Sequence, residues 1–287
     1  MGELREWELL EELGRKVSGC GDDCAVLPFA GTQLLLTTDL LHQASDFPPG
    51  TTPYTMGWRA VAASLSDIAA MAGRPLAVVM AASAPDWEGL FPELLAGAQA
   101  ACRLVGTELV GGDLDFSEEL FLVSSALGEA DRPVRRAGAQ PGDCLFVTGP
   151  LGSTHLALRL FSQGKSARAN ELFRFVPRVT EGLLLAGEAT SMIDLSDSLA
   201  HSLHLLSRAS RVGFVVHPEK IPLVPGVELE EAIYFGEDYE LLFTARPGAL
   251  PPGPWTEIGQ VVEEPGVWLS QQGKLRKVPD RGWEHGP

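Results

Sequence analysis

The stretch Gly21-Asp22-Asp23-Cys24-Ala25-Val26-Leu27 places two adjacent carboxylates directly before a short apolar run. The pattern recurs in reverse order at Leu34–Asp39, where an apolar run is followed by two hydroxyl residues and a carboxylate. Further carboxylates stand at the ends of apolar segments in Leu65–Asp67, Leu109–Asp113, Ile193–Asp197 and Gly236–Glu240. Because a carboxylate at the end of a buried element costs free energy unless something pairs with it, this recurrence predicts a shared partner.

Divalent cations are the partner that best fits these acids. Several carboxylates that converge on one cavity would repel one another, and some of them would have to stay protonated. A bound cation removes both difficulties, and hard oxygen ligands suit Mg²⁺ better than zinc. We therefore interpret the chain as a scaffold that gathers these acids around magnesium and a phosphate-bearing ligand.

The composition is that of an ordinary soluble, globular protein with a strong acidic bias. The chain has 287 residues, a length that favours about two domains, and 45% of the residues are hydrophobic. The formal net charge of −16 argues against nucleic acid or an anionic membrane as the main partner. A phosphorylated substrate stays compatible with this charge, because magnesium can supply the positive charge.

The four cysteines, Cys20, Cys24, Cys102 and Cys144, form no C-x-x-C pair. With no signal peptide before them, we expect reduced thiols and a cytoplasmic location. Cys20 and Cys24 flank the acidic pair and suggest a metal site, but no Cys or His cluster completes a tetrahedron, so a turn and the start of a strand are favoured. No apolar run reaches the length of a membrane span, and no membrane partner is expected.

Periodicity and turn residues indicate an α+β fold. Helical spacing of apolar residues predicts helices over 3–13, 58–71 and 87–105, with apolar strands around them joined by short turns. Residues 42–55, rich in Pro and Gly, and the basic stretch 164–178 are predicted to be irregular. Turn residues after Arg136 predict a boundary, and we expect two domains, at residues 1–137 and 138–287.

The helix predicted over 58–71 carries Asp67 on a face of small residues. Ala60, Ala63 and Ser64 share that face, so the helix is expected to be covered on both sides. An aspartate packed there without a basic neighbour needs a cation, and we expect Asp67 to bind a metal ion. The alternative is a carboxylate exposed to water in the last turn of the helix.

The second half opens with a predicted strand over 144–148, a glycine turn over 149–154 and a helix. Such a unit can cradle phosphate, but it lacks the lysine of a P-loop, and packing alone also explains it. Downstream, Asp194, Ser196 and Asp197 fall before another predicted helix. There they either bind a ligand or cap the free amides of the helix.

Covalent catalysis by a side chain is not expected. There is no G-x-S-x-G motif and no Cys–His arrangement that predicts a nucleophile. His201 and His204 stand at i, i+3, a spacing that suits metal binding, but no third ligand of that kind is evident. A solvated helix face is therefore favoured for the two histidines.

Eight motifs that occur in one order carry a specific resemblance. They are Gly21–Ala25, Thr37–Asp39, Leu65–Met71, Gly111–Asp113, Arg136–Asp143, Thr148–Thr154, Ile193–Asp197 and Gly236–Phe243. Together they resemble the thiamine-monophosphate kinase family, within the wider aminoimidazole ribonucleotide synthetase superfamily, over nearly the whole chain. The resemblance implies a two-domain synthetase-like fold: an N-terminal mixed sheet that pairs into a barrel across a homodimer, and a C-terminal α/β domain. It also implies ATP-dependent phosphorylation of thiamine monophosphate to thiamine diphosphate with magnesium.

The resemblance further implies a set of site residues. Those that look like magnesium ligands are Asp23, Thr37, Thr38, Asp39, Asp67, Asp113, Asp194 and Asp197. Those that look like ATP contacts are Gly112, Arg136 and Ser196. Glu237 and Trp283 look like contacts to the thiamine part, and Asp46 stands where the family has a His that contacts the substrate.

The chain departs from the family pattern mainly on the substrate side. Ala44 and Ser198 replace glycines, Ser64 replaces an Asn, and Asp46 replaces the His, whereas the acids of the metal motifs are kept. A carboxylate at position 46 would repel a nearby phosphate. We expect Asp46 to point away from it, with His42 as a candidate to take its place.

The mechanism expected from these residues is direct in-line phosphoryl transfer, in which positioning and metal electrostatics supply most of the catalysis. One alternative is another ATP-dependent kinase or synthetase of the same superfamily. A second is a non-catalytic nucleotide or metal sensor, an interpretation motivated by Asp46 and Ser198. Substrate-dependent release of ADP distinguishes an enzyme from such a sensor.

Overall fold

The computed structural model describes residues 6–17, 19–250 and 252–283. The first three residues of the helix predicted over 3–13 lie outside this part of the chain. The helices are α1 (Glu6–Lys16), α2 (Gln43–Asp46), α3 (Pro53–Ala70), α4 (Leu90–Leu104), α5 (Ser153–Ser162), α6 (Ser166–Phe173), α7 (Val179–Leu185), α8 (Leu199–Ser210) and α9 (Leu229–Tyr234), with a 3₁₀ turn at Pro218–Lys220.

The strands form two separate sheets. They are β1 (Ala25–Phe29), β2 (Thr32–His42), β3 (Arg74–Ala84), β4 (Leu109–Phe116), β5 (Phe121–Ala130), β6 (Cys144–Val147), β7 (Ala189–Asp194), β8 (Gly213–Val216), β9 (Leu241–Ala245), β10 (Thr256–Val262), β11 (Gly266–Gln271) and β12 (Lys274–Lys277). The first sheet has the order β1-β2-β5-β3-β4, and the second has the order β12-β11-β8-β10-β6-β9-β7. The expected α+β class with a mixed N-terminal sheet is confirmed, because β3 and β4 run parallel while the other pairs of that sheet are antiparallel.

Helix α3 is the central element of the first core. Thr52 caps its N-terminus by accepting a hydrogen bond from the Thr55 N–H, and Pro53 occupies the first turn, where a missing N–H is harmless. Small residues let neighbours approach closely, and α3 packs against α4, α7, β2 and β5. The prediction that this helix is covered on both sides is confirmed, since from Arg59 to Ala70 every residue except Asp67 is buried.

The two sheets are joined through apolar packing at the end of α3. Ala69 and Ala70 belong to one buried cluster with Met192 of β7 and Phe243 of β9. The second sheet is mostly antiparallel, with β8 and β11 as a parallel pair, and α8 packs on its core. This junction fixes the end of β7 beside the C-terminal half of α3, where the acidic motifs lie.

Two segments predicted to be irregular contain helices. Residues 42–55 hold α2 and the first turn of α3. Proline is favoured in the first turn of a helix, so Pro53 marks the start of α3 rather than a loop. Residues 164–178 hold α6, whose buried Ala169, Asn170 and Phe173 pack toward α3. The sequence prediction failed here because the basic residues of this stretch outnumber the few apolar residues that the short helix buries.

Within residues 6–17, 19–250 and 252–283, no helix combines the length and the apolar character that a membrane crossing requires. The longest helix, α3, has 18 residues, and its buried face is occupied by protein. The burial of α3 therefore comes from packing against other helices and the sheets of the protein.

The packing of α3 against α4 depends on two glycines at the point where the helices cross. A Cβ atom added at Gly57 would lie 2.0 Å from the Leu94 carbonyl oxygen, and one at Gly97 would lie 1.9 Å from the Tyr54 carbonyl oxygen. Gly57→Ala and Gly97→Ala should therefore each lower the free energy of unfolding by about 1–3 kcal/mol or more, because backbone must shift. Denaturant unfolding measures this loss. Gly14→Ala in α1 is the control, since no atom lies within 4 Å of the added carbon and alanine favours a helix by about 0.5–1 kcal/mol. Unchanged unfolding midpoints for both crossing variants would contradict the close approach.

Candidate functional site

A cleft of about 1210 Å³ runs between the two sheets and is the candidate site. A volume of this size exceeds that of a typical site for one small ligand. Ten of the residues predicted for the site line it: Asp23, Thr37, Thr38, Asp39, Asp46, Arg136, Ser196, Asp197, Glu237 and Trp283. The cleft is therefore large enough to hold two ligands side by side.

Three carboxylates from three different elements meet beside the cleft, which Asp23 lines. Asp23 precedes β1, Asp67 lies in the last turns of α3, and Asp194 ends β7. Their ligand oxygens all lie within 4.8 Å of one another. The fold thus gathers acids that are separated by 44 to 171 residues in the sequence.

Hydroxyl donors hold these carboxylates in place. The Ser66 hydroxyl donates to Asp194 Oδ2 at 2.6 Å, and the Thr37 hydroxyl donates to Asp67 Oδ2. The Ser64 hydroxyl donates to Asp39 Oδ2 at 2.5 Å. Sequence reasoning missed Ser66 as a contact, although its position next to Asp67 on a buried helix was a usable signal. The oxygens are oriented before any ligand arrives.

Burial raises the pKa of each acid that these hydroxyls support. Burial raises the pKa of Asp39 to about 6, an effect that the hydrogen bond from Ser64 opposes. Burial and the charge of Asp23 raise the pKa of Asp194 to about 8. Burial, followed by the charges of Asp39 and Asp194, raises the pKa of Asp67 well above its ordinary value. In the absence of a cation, the cluster therefore retains protons near neutral pH.

The donor set fits a hard divalent cation. Asp23 Oδ2 is buried without a hydrogen-bond partner, while Asp23 Oδ1 accepts a hydrogen bond from Arg136 Nη2 at 2.9 Å. Carboxylate and hydroxyl oxygens suit Mg²⁺, and within the described part of the chain this is the one group of three or more potential ligands. It contains no sulfur, so the interpretation of Cys20 and Cys24 as turn and strand residues agrees with the geometry.

Arg136 brings the positive charge to the cleft. Asp22, which precedes Asp23 in the sequence, accepts hydrogen bonds from the Arg136 backbone N–H at 2.9 Å and from Arg135 Nη1 at 2.6 Å. The Arg136 Nε is buried without a hydrogen-bond partner. Asp22 and Asp23 thus have different roles: the first anchors the arginine segment, and the second belongs to the acidic cluster. An anion in the cleft would meet a donor that is already positioned.

The segment after β7 forms the opposite wall. The Glu237 N–H donates to the Ser196 carbonyl at 2.5 Å, and the Trp283 N–H donates to the Asp197 carbonyl at 2.9 Å. The helix α8 is capped by Ser198, whose hydroxyl accepts from the His201 N–H at 2.9 Å. Capping of α8 therefore does not need Asp194, Ser196 or Asp197, and Ser196 and Asp197 line the cleft.

The solvated face proposed for the two histidines is wrong for His201. This side chain is buried; its Nδ1 lies 2.7 Å from Asp280 Oδ1, and its ring stacks on Trp7 at 3.8 Å. The contact with His201, joined by Arg208, holds the pKa of Asp280 at about 2 against the opposing effect of burial. These contacts dock the segment that leads from Asp280 to Trp283. No local pattern indicated the contact between His201 and Asp280, because the two residues lie 79 positions apart.

The glycine turn before α5 does not offer a free phosphate cradle. The N–H groups of Gly152 and Ser153 donate to the buried Asp238 carboxylate at 2.8–2.9 Å. Burial raises the pKa of Asp238 to about 7, although these hydrogen bonds oppose the rise. The helix N-terminus already has an anionic partner from its own chain, so packing explains this motif.

Thr38, Gly112 and Asp113 lie apart from the acidic cluster. Thr38 alternates to the other face of β2, where its Oγ1 accepts a hydrogen bond from the Ser125 hydroxyl at 3.0 Å. Gly112 on the exposed edge strand β4 is at the same level as Asp39, with β3 and β5 between them. Three strand spacings separate them by roughly 14 Å within one chain.

Asp46 is buried at the end of α2 and faces its own segment. Its Oδ2 accepts hydrogen bonds from the His42 N–H and the Ser45 hydroxyl, each at 2.7 Å. His42 also lines the cleft, where its ring stacks on Phe121 and its Nδ1 lies 3.4 Å from Glu119. Asp46 itself lines the cleft, and the expectation that its carboxylate points away from a bound phosphate, with His42 in its place, stays a prediction.

The chain is similar to known proteins over nearly its whole length. Residues 21–130 match the family model described as AIR synthase related protein, N-terminal domain. The chain is 42% identical to a thiamine-monophosphate kinase of Halobacterium salinarum, in a match that covers 98% of this chain and 100% of the relative. Residues 21–130 include the acids of the first half, from Asp22 to Asp115.

Solved structures extend the comparison to the whole fold. The structure described as AaThiL complexed with AMPPCP and TMP has a TM-score of 0.92 and 30% identity, covering 100% of this chain and 98% of that one. A hydrogenase maturation protein HypE has a TM-score of 0.71, with 92% and 94% coverage. At 20% identity, HypE shows a likeness of fold alone.

The raised pKa values of the acidic cluster predict how stability depends on pH and on magnesium. Without a cation, stability from the protonated acids is fully present below the unfolded pKa of about 4 and is lost as pH rises through about 6 for Asp39 and about 8 for Asp194. Magnesium favours the ionised acids, so it should raise the melting temperature more at pH 8 than at pH 5.5. Thermal unfolding with and without magnesium measures the difference. Asp194→Asn should weaken it, and a magnesium effect that is equal at both pH values would contradict the cluster.

Proposed function

The chain belongs to the thiamine-monophosphate kinase family, and from that premise we propose that it transfers the γ-phosphoryl group of ATP to thiamine monophosphate, giving thiamine diphosphate and ADP. Magnesium is the metal ion we propose for the reaction. The observation that carries the proposal is the acidic cluster of Asp23, Asp67 and Asp194, which meets an arginine in a cleft large enough for two ligands.

The residues of the cleft divide into roles by their chemistry. We propose that Asp23, Thr37, Asp39, Asp67, Asp194 and Asp197 hold magnesium, directly or through water. Arg136 and Ser196 would contact the nucleotide, because a guanidinium recognises phosphate by charge and by directional hydrogen bonds. Bound magnesium would neutralise charge on the phosphates and stabilise the charge that develops in the transition state.

The reaction itself needs little covalent chemistry from the protein. An oxygen of the acceptor phosphate attacks the γ-phosphorus of ATP, a new phosphorus–oxygen bond forms, and the bond to the β-bridging oxygen breaks to release ADP. A phosphate acceptor is already ionised near neutral pH, so no strong general base is required. Positioning by Arg136, Ser196 and the acids, together with exclusion of water, supplies the rate.

The acceptor would occupy the wall formed by Glu237 and Trp283. Trp283 is tied through its N–H to Asp197, and Glu237 through its N–H to Ser196, so both thiamine contacts lie next to the nucleotide contacts. A flat indole suits an aromatic ring, and a carboxylate suits an amino group or a cationic ring. Because Asp46 hydrogen-bonds within its own segment, we propose that His42 serves the acceptor in its place.

The exposed face of the first sheet supports a homodimer. Eight large apolar side chains on β1–β4 are exposed: Leu27, Phe29, Leu36, Leu40, Val79, Val110, Leu114 and Phe116. The strand register places Leu27, Phe29, Leu36, Leu40 and Val79 on one face, and the other three residues lie on the edge strand β4. Exposed apolar surface of this kind marks an interaction site. A second copy that pairs its β4 edge with the β1–β2 side would close a barrel, and it would bring the partner subunit's Asp113 toward Thr38 and Asp39. This arrangement gives Gly112 and Asp113 a place in the site that one chain alone does not give them.

The proposed division of labour follows the two sheets. Residues 1–137 would bind magnesium and ATP and form the dimer, and residues 138–287 would complete the nucleotide and acceptor sites. Ala157, Phe161 and Phe173 of the second part pack into the core of the first, so the two parts are not independent. We also propose a cytoplasmic location, because the reaction consumes ATP.

The proposed reaction is tested by ADP release in the presence of magnesium with thiamine monophosphate, and with purine-pathway acceptors as the comparison. Asp39→Asn, Asp67→Asn and Asp197→Asn should each lower the turnover rate at least about tenfold, since contacts that stabilise transferring charge are worth a few kcal/mol. Asp115→Asn on β4 is the matched control. Turnover close to wild type in all three variants at limiting magnesium would contradict the metal assignment. Turnover with a purine-pathway acceptor alone would favour another reaction of the superfamily, and no acceptor-dependent ADP would favour a sensor.

The proposed dimer is tested by mixing two inactive variants. Light scattering should give about twice the chain mass of 30.7 kDa. If Asp113 acts across the interface, Asp113→Asn and Asp194→Asn should be inactive alone, but random mixing of their subunits should restore about a quarter of wild-type activity, because half of the dimers gain one complete site. A monomer across the micromolar range would refute the dimer. Mixtures that stay inactive after verified subunit exchange would place Asp113 in its own chain's site.

A further inference from the structure

Arg59 is a buried cation for which the phosphoryl transfer described above has no use. It lies on α3 with 1% of its side chain exposed, and it is the bulkiest of the fully buried side chains in the described part of the molecule. Lysine and arginine are almost never fully buried unless a partner compensates for the lost hydration. The surroundings of Arg59 therefore indicate what this charge does.

An aromatic cage and one carboxylate surround the guanidinium. Its central carbon lies 3.8 Å from the ring centre of Phe173, 5.2 Å from that of Phe175 and 5.8 Å from that of Tyr239. Nη1 donates to the Phe173 carbonyl at 2.8 Å, whereas Nε and Nη2 form no hydrogen bond. Nη2 lies 3.1 Å from Glu237 Oε1, an ion pair without hydrogen-bond alignment. Glu237 is thus the anionic partner of a desolvated cation.

The segment that carries Glu237 is held in a strained backbone conformation. Glu237 and Tyr239 both have positive φ, at 55° and 52°, a strained backbone conformation for residues other than glycine. Gly236 passes so close to the Asp197 carbonyl that an added Cβ would lie 2.1 Å from it. The Tyr239 N–H donates to the Leu195 carbonyl at 3.0 Å. Strain of this kind persists where surrounding contacts fix one geometry.

Arg59 completes that fixation from helix α3. It lies behind Glu237, which lines the cleft, and it contacts Glu237 through charge and Tyr239 through the ring face. We propose that Arg59 is a positioning residue for the acceptor: it holds the Glu237 carboxylate in one orientation, so that this group recognises the amino or cationic part of thiamine monophosphate. This inference rests on the proposed function and adds to it the residue that sets acceptor affinity.

A second arginine at the same junction provides a matched control. Arg174 Nη1 donates to the Thr55 hydroxyl at 2.9 Å, and the Arg174 guanidinium lies 5.5 Å from the ring centre of Tyr54. Arg174 therefore ties α3 to the segment after α6 through similar contacts, but these contacts are made to Thr55 and Tyr54 rather than to Glu237. Its loss should affect stability without a specific effect on the acceptor.

The test measures KM for thiamine monophosphate, KM for ATP and the melting temperature in the wild type and in Arg59→Met, Arg59→Lys, Glu237→Gln, Arg59→Met/Glu237→Gln and Arg174→Met. Arg59→Met should raise KM for thiamine monophosphate at least about tenfold and leave KM for ATP within about twofold, since the lost contact serves acceptor binding. Arg59→Lys, which keeps the charge, should recover part of the loss. The double variant should be little worse than Glu237→Gln alone, because both changes remove one coupled unit.

Three outcomes would overturn the inference. One is an Arg59→Met protein with a lower melting temperature and an unchanged KM for thiamine monophosphate, the pattern expected of Arg174→Met. Another is additive effects in the double variant. If Arg59→Met does not fold, Arg59→Lys with wild-type KM values would overturn it as well. Absence of turnover in the wild type would instead contradict the proposed function itself, so the two failures are distinguishable.

Discussion

Mutual repulsion among buried carboxylates is the constraint on which the rest of this structure depends. Asp23, Asp67 and Asp194 bring ligand oxygens within 4.8 Å of one another, and burial adds to the cost of charging them. The fold supplies hydroxyl donors from Thr37 and Ser66, which orient these oxygens but cannot neutralise them. A divalent cation resolves the repulsion, and an ATP-dependent transfer is a reaction that delivers such a cation with its substrate.

The cleft is a product of how the two sheets meet. Ala69 and Ala70 pack with Met192 and Phe243, and this apolar contact fixes α3 against the end of β7. Two further ties cross the same junction: Arg136 pairs with Asp23, and Arg59 faces Glu237. The residues proposed for the nucleotide and for the acceptor are thereby held at one junction, which fits a reaction that depends on alignment more than on side-chain chemistry.

The ends of apolar runs in the sequence predicted the acidic cluster well, because a carboxylate there must meet a partner. Local patterns could not predict contacts made across long separations. The spacing of His201 indicated a solvated side chain, but Asp280 and Trp7 bury it in the fold. The glycine turn at Gly152 indicated a phosphate-binding site, but its N–H groups bind the Asp238 carboxylate instead. Arg59 gave no signal, since its aromatic cage comes from residues 114 or more positions away. The distance of Asp113 from the acidic cluster is set by the order of the strands in the sheet, and the periodicity of a sequence does not specify that order.

The central claim is that the buried acids hold protons until magnesium replaces them. Calorimetric titration of the protein with magnesium at pH 6.5, in two buffers with different ionisation enthalpies, counts the protons released on binding. Because burial raises the pKa of Asp194 to about 8 and that of Asp67 well above its ordinary value, we predict release of about one proton or more per protein chain. The count should fall in Asp194→Asn. Magnesium binding without proton release in the wild type would contradict the account.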